Sequence, residues 1–251
     1  MSAKEGQLGE RVNPPVEIDP TGLRARPGYH DVVDFLRREI ALGRLRPGDR
    51  LPAERKLAAQ LGVARETLRQ ALKVLEAGGQ LRILRGAAGG PVVQQAEPDA
   101  ASLHTELVAR GGDIIGFTEF RGVVEGAAAR MAAERRSDAV VERLEAAQEE
   151  LAAAVTKAES RLADSAFHLT IAEAADNPML AHAIDDARVR VFDSVDLMPF
   201  EFIKESSYLA HQRILEAIRA RDPEAASEAM RAHIATTKLE FERIIDAPGA
   251  D

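Results

Sequence analysis

A break rich in glycine and proline, with Gly86, Gly89, Gly90, Pro91 and Pro98 falling inside 86–99, divides this 251-residue chain, whose length suits one large domain or two ordinary ones. The charge divides at the same place. Positions 26–95 hold 13 Lys/Arg against 7 Asp/Glu, a net of +6, whereas 1–25 carry −1 and 96–251 carry −13. The overall formal charge of −8 therefore hides a small basic module joined to a larger acidic one. Such asymmetry points to nucleic-acid contact by the basic part. Cysteine is absent, which excludes disulfides, Cys-type zinc fingers and thiol nucleophiles, and fits a reducing compartment. No run approaches the roughly 20 apolar residues of a membrane span, and the first 24 residues lack the apolar core of a signal peptide. The expectation is a cytoplasmic chain with no membrane partner. Four domains are read: a loosely held tail at 1–25, a basic module at 26–95, an acidic module at 96–246 and a short tail at 247–251.

The basic module carries three helix signals in quick succession. Val32, Val33, Leu36 and Ile40 share one face over 29–42, and Gly43 ends that helix. Pro52 opens a second, short helix with Leu57, Ala58 and Leu61 inward, stopped by Gly62. A third runs over 63–77 with Leu68, Ala71, Leu72 and Leu75 inward, ended by Gly78 and Gly79. Two short strands, 81–84 and 92–93, then flank a glycine-rich turn. Three helices and a β-hairpin make a winged helix-turn-helix. Arg65 and Arg69 lie four apart at the start of the third helix, opposite its leucines. Arginine reads guanine O6 and N7 in the major groove, and the first turns of a recognition helix are where such contacts form.

From Asp99 onward everything reads as helix, in seven segments near 99–110, 114–135, 138–157, 159–175, 178–195, 201–221 and 223–245. Gly111-Gly112, Ser137, Asn177-Pro178, Met198-Pro199 and Asp222-Pro223 separate them, with Ser137 and Asp222 suited to capping helix N-termini. The fold class is thus mainly α, a winged head followed by an all-α bundle of about seven helices. Asp164 and His168 are four apart on one stripe, His211 shares a stripe with Ile214, Leu215 and Ile218, and His233 shares one with Met230, Ile234 and Phe241. One aspartate and three histidines therefore point inward from three helices. If those helices meet, the set suits a divalent transition metal; if they do not, these are separate hydrogen-bonded core residues. His30, His104 and His182 have no such pattern and read as ordinary residues.

The run Leu45-Arg46-Pro47-Gly48-Asp49-Arg50-Leu51-Pro52-Ala53-Glu54-Arg55, followed by Leu61-Gly62-Val63-Ala64-Arg65-Glu66-Thr67-Leu68-Arg69-Gln70-Ala71-Leu72, resembles the winged-helix domain of GntR-family transcription factors. The resemblance implies that Arg55, Arg65 and Arg69 approach bases or phosphates, that Thr67 contacts phosphate, and that Gly89 lets the wing backbone enter the minor groove. Ala64 departs from the family, which usually has Ser or Thr there as a helix cap. In the acidic half, Arg121-Gly-Val-Val-Glu125, Asp164-Ser-Ala-Phe-His168, Ala174-Ala-Asp-Asn177-Pro178, His211-Gln-Arg-Ile-Leu-Glu-Ala-Ile218 and Ala229-Met-Arg-Ala-His233 resemble the FCD effector domain of FadR-type GntR regulators. A seven-helix count favours the FadR subgroup over the six-helix VanR subgroup. The resemblance implies that Asp164, His168, His211 and His233 ligate a divalent metal (zinc, nickel or manganese) and that a small carboxylic acid binds at or near it. Arg121 then has two readings, a pocket arginine holding the effector carboxylate or an intrahelical partner of Glu125.

The function expected is a homodimeric, ligand-responsive regulator, a repressor by expectation and not an enzyme, bound to a pseudo-palindromic operator of double-stranded DNA. Two alternatives are a metal-free sensor of fatty acid or acyl-CoA and a metal-dependent enzyme. The intact Asp/His₃ set argues against the first, and the fused DNA-binding head against the second.

Overall fold

The computed structural model describes residues 15–20, 23, 27–84, 89–94, 100–195 and 200–246. It divides into two compact units, Met1–Ile40 with Arg44–Glu97, and Ala41–Gly43 with Pro98–Asp251.

In the first unit, Gly62 takes φ +65, a conformation that glycine adopts at little steric cost. It turns the chain from α2 (Glu54–Gln60) into α3 (Arg65–Ala77), which follow α1 (Tyr29–Ala41). Leu68, Ala71, Leu72 and Leu75 of α3 are buried against Leu57, Ala58 and Leu61. Each such leucine contributes about 1.5–3 kcal/mol over an exposed one. Ala64, at the N-cap of α3, makes no side-chain capping bond, as its methyl group dictates. The wing is an antiparallel pair, β1 (Leu81–Leu84) and β2 (Gly90–Val93), in register Leu81↔Val93 to Leu84↔Gly90. Its tip at 85–88, with Gly86, lies outside the described residues.

Within the stretch expected to be a loose tail, Val16 and Ile18 are packed against the head, while Pro15, Glu17, Asp19 and Pro20 are exposed. Ile18 is 5% exposed in the core of the head, and the Val16 amide donates to the Arg50 carbonyl at 2.8 Å. Low apolar content suggested a tail, but one isoleucine seated in a core outweighs composition. Positions 1–14 and 247–251 lie outside the described residues.

The second unit holds α4 (Ala100–Arg135), α5 (Asp138–Ala153), α6 (Lys157–Ala174), α7 (Pro178–Val195), α8 (Phe200–Arg219) and α9 (Pro223–Ile245). Among the described residues these are six helices, where seven were expected, because α4 continues straight through Gly111-Gly112. Each glycine costs about 1 kcal/mol in a helix interior. Here α4 and α9 run antiparallel in close contact, with a Cβ on Gly111 falling 3.1 Å from Ile245 and one on Gly122 falling 3.8 Å from Ile234. That packing outweighs propensity. The helix count therefore gives no ground for the FadR subgroup over VanR.

Ser137 and Asp222 cap α5 and α9 as expected, accepting from the amides of Val140 and Ala225. Thr156 starts α6 with a capping box completed by Glu159. Phe167, Ile171, Ile214, Ile218, Met230 and Ile234 lie in the core that α4 to α9 share.

Candidate metal centre and DNA-reading face

The core of the helical unit is not wholly apolar. His168 from α6, His211 from α8 and His233 from α9 point into it and are all buried. Their ring centroids stand 5.0–5.2 Å apart pairwise, and Phe167 stacks on His211 at 4.1 Å. Asp164, one turn before His168, completes the group. One donor atom from each of the four residues lies within 4.8 Å of every other. The helices that periodicity left unconnected do meet.

Polar contacts orient Asp164, His168 and His211. Nδ1 of His168 donates to Oε2 of Glu125, which leaves Nε2 facing the cluster. Nε2 of His211 lies 3.2 Å from Nε2 of His168 and 3.5 Å from Oδ1 of Asp164. Oδ2 of Asp164 accepts from Nη2 of Arg188 at 2.6 Å, so only Oδ1 faces the rings. Nδ1 of His211 is buried with no hydrogen-bond partner among the described residues.

The electrostatics prepare the same set. Burial pushes all three histidines below their ordinary value, His168 well below it, His211 to about 4 and His233 to about 3. Burial alone would raise Asp164, but Arg188 and the three rings beside it hold its carboxyl below the usual carboxylate range. At neutral pH the site thus presents one carboxylate and three neutral imidazoles. This donor set fits a borderline divalent ion. Two nitrogens that share an ion at about 2.1 Å, with angles near 90–110°, stand roughly 3.0–3.4 Å apart. The observed 3.2 Å between His168 and His211 falls in that window.

Arg121 is 6% exposed, and its Nε donates to Oε1 of Glu125 at 2.6 Å. Of its two readings, the structure displays the pair with Glu125. Glu125 therefore joins Arg121 to His168. Arg188 was not anticipated from the sequence. Its signal was an arginine on the otherwise apolar stripe of Ile184, Ala187 and Val191, and it is fully buried with them. Of the remaining histidines, the His30 ring lies tilted against Tyr29 and His182 bonds the Pro178 carbonyl, while the His104 side chain lies outside the described residues.

On the head, Arg55 of α2 and Arg65 of α3 are exposed, and Thr67 and Arg69 are half-buried. Arg69 is not a bare cation. Its Nη2 meets Oε2 of Glu54 at 3.3 Å and its Nη1 meets Oε2 of Glu66 at 3.3 Å. Gly89, just before β2, accepts a hydrogen bond at its carbonyl from Nη2 of Arg50 at 2.6 Å.

Comparison with known proteins covers both units. Residues 28–88 match the model of bacterial regulatory proteins of the gntR family, and residues 117–236 match the FCD domain. HTH-type transcriptional regulator LutR of Bacillus subtilis is 31% identical over 204 residues, 78% of this chain and 92% of that protein. HTH-type transcriptional repressor NanR of Cronobacter sakazakii is 31% identical over 209 residues, 79% of this chain and 77% of that protein. The fold also resembles the solved E. coli McbR/YncC, with TM-score 0.54 at 20% identity, covering 86% of this chain and 97% of that one. Among the described residues no helix is long and apolar enough to cross a membrane. The relatives are transcriptional regulators rather than enzymes. The chain belongs to the gntR family of bacterial regulatory proteins, as a DNA-binding transcriptional regulator whose helical half is an FCD domain.

Proposed function

We propose that this regulator is a cytoplasmic homodimer that senses a small carboxylic acid at a divalent metal ion held by Asp164, His168, His211 and His233. The observation that carries this is the convergence of one carboxylate and three neutral imidazoles in a buried core, all within 4.8 Å. When bound, the ion supplies a positive charge and open coordination positions for a carboxylate oxygen. Zinc, nickel and manganese all suit the donors. Arg188 and Arg121 are each paired with a carboxylate, Asp164 and Glu125, so the net positive charge that would favour an anionic effector is the ion's.

Regulation requires that the effector favour one arrangement of the DNA-binding heads over another. The homodimer is supported by an exposed stripe on α4, where Phe120 is 44% and Val123 64% exposed beside Gly112 and Gly116. Two winged heads then read a pseudo-palindromic operator, with Arg65 and Arg69 on bases, Arg55 and Thr67 on the adjacent backbone, and Gly89 at the minor groove. Repression is the sign proposed, as in the name of the relative NanR. Placement with FadR-type FCD regulators rests on the motifs over 121–233, not on a helix count.

Elemental analysis of chain purified without nickel resin tests the reading. About one transition-metal equivalent per chain is expected, and thermal shift should rise on adding zinc, nickel or manganese. His211→Ala should lose the metal and the response to carboxylates while keeping DNA binding. Less than about a tenth of an equivalent, with no thermal shift for any of the three ions, removes the metal reading in favour of a metal-free sensor. The regulator assignment stands either way, because it rests on the head and the family.

A further inference from the structure

Arg50 sits where three parts of the head meet. Its main chain pairs in parallel with Pro15 on one side and antiparallel with Val92 of β2 on the other. The Val16 amide donates to the Arg50 carbonyl at 2.8 Å. Leu51 donates to the Pro91 carbonyl at 2.8 Å, and Val93 donates to the Asp49 carbonyl at 2.9 Å. Segment 49–51 therefore lies along the outer edge of β2, and 15–16 lies along the outer edge of 49–51. Ile18, buried in the head core with Val16 and Leu23 packed near it, anchors that outermost segment.

The Arg50 side chain turns back along the wing. Its Nη2 donates to the Gly89 carbonyl at 2.6 Å, immediately before Gly90, whose φ of +146 lies outside the range that other residues favour. A two-stranded hairpin is marginal by itself and gains its position from what packs on its edge. Arg50 supplies both a main-chain rung and a side-chain tie to the residue from which the wing tip begins.

We propose that segment 15–18 and Arg50 form a brace that fixes the wing in position to enter DNA, with Arg50 as a positioning residue and the N-terminal segment as its support. This rests on the reading that the wing at Gly89 occupies the minor groove. It gives the N-terminal segment a function, and it makes the wing's hold on DNA depend on residues more than 30 positions before it.

The test uses the full chain and a duplex that this chain selects from a random-sequence pool. Dimethyl sulfate methylates guanine N7 in the major groove and adenine N3 in the minor groove, so one footprint reports α3 and the wing separately. Arg50→Ala removes the tie. Val16→Pro removes the amide that holds Arg50 without altering any charge. Both should weaken binding about tenfold, lose protection at adenine N3 and keep protection at guanine N7, with the head folded by circular dichroism. Arg50→Lys, which keeps one donor for the Gly89 carbonyl, should recover part of the adenine protection. Ile18→Ala replaces Val16→Pro if the proline variant melts the head. Unchanged adenine protection in Arg50→Ala overturns the brace. So does loss in Arg50→Ala with none in Val16→Pro or Ile18→Ala, which would make Arg50 a direct phosphate contact. If the unaltered chain protects no adenine N3, the minor-groove reading of the wing is what fails, and the brace falls with it.

Discussion

The carboxylate of Glu125 accepts a hydrogen bond from Nδ1 of His168, 43 residues further along the chain and on a different helix. Its other oxygen accepts from Arg121. That bond fixes which ring nitrogen of His168 carries the proton, and therefore that Nε2 is the one offered to the cluster. Carboxylates placed this way orient ligating histidines and raise their basicity.

Glu125→Gln should therefore lower zinc or manganese affinity by about 10–100-fold without removing any donor atom from the site. Competition titration against a chromogenic chelator measures it. Unaltered affinity, in a variant whose helical content matches the unaltered chain, would show that the carboxylate serves only to neutralise Arg121.

Acid should destabilise the metal-free chain in a defined window. His211 and His233 have folded-state values of about 4 and about 3, against 6.5 when exposed. Below 6.5 the unfolded chain takes up protons that the folded chain refuses. The stability these groups contribute is thus fully present above 6.5 and lost as pH falls through their folded values. For His211 the shift corresponds to about 3 kcal/mol as an upper figure. Melting temperature in chelator should be level at neutral pH and fall between pH 6.5 and 4. His233→Leu, which cannot titrate, should show a shallower fall. The same slope in that variant would mean that protonation of the buried ring is not what the acid acts on.

Much of this was legible in local spacing. Leucines and arginines on opposite sides of α3 fix its orientation, and Asp164 and His168 share a face because they are one turn apart. Ser137 and Asp222 cap where short polar residues precede apolar periodicity. Thr156 with Glu159 was equally legible as a capping box and marks the true start of α6. What spacing could not carry was tertiary. Gly111-Gly112 reads as a break until α9 is packed against it. Arg188 stands out as a charge on an apolar stripe, but its partner Asp164 lies on another helix, 24 residues earlier. The carboxylate from Glu54 on Arg69 likewise arrives from a neighbouring helix, 15 residues away.

The two kinds of basic residue on the head should separate experimentally. Arg65 is exposed at the start of α3, and Lys56 is exposed on α2. Arg65→Ala should cost about 1–3 kcal/mol on the selected duplex and relax its sequence preference. Lys56→Ala should weaken selected and random duplexes alike and flatten the salt dependence. Fluorescence anisotropy on both duplexes over a salt series reads the difference. Equal effects of Arg65→Ala on the two duplexes would mean that Arg65 holds phosphate rather than base.

Arg69 should behave differently from Arg65, because two carboxylates already hold it. Glu54 and Glu66 each lie 3.3 Å from one of its terminal nitrogens, so its charge is largely neutralised before DNA arrives. A phosphate gains little from such a group, whereas a guanine edge can still use the donors that point away from the carboxylates. The pairs are partly exposed, so they contribute little to stability, within about 1 kcal/mol. Their effect is on discrimination. Glu54→Gln leaves a neutral acceptor in place and releases one charge. Binding to random-sequence duplex should then tighten, with the salt dependence steeper by about one counterion, while the ratio of selected to random affinity falls. Glu66→Gln should act in the same direction, and the double variant should exceed either. If random-duplex affinity and its salt slope stay unchanged in Glu54→Gln, the carboxylates do not restrain Arg69, and its contact with DNA is set by α3 alone.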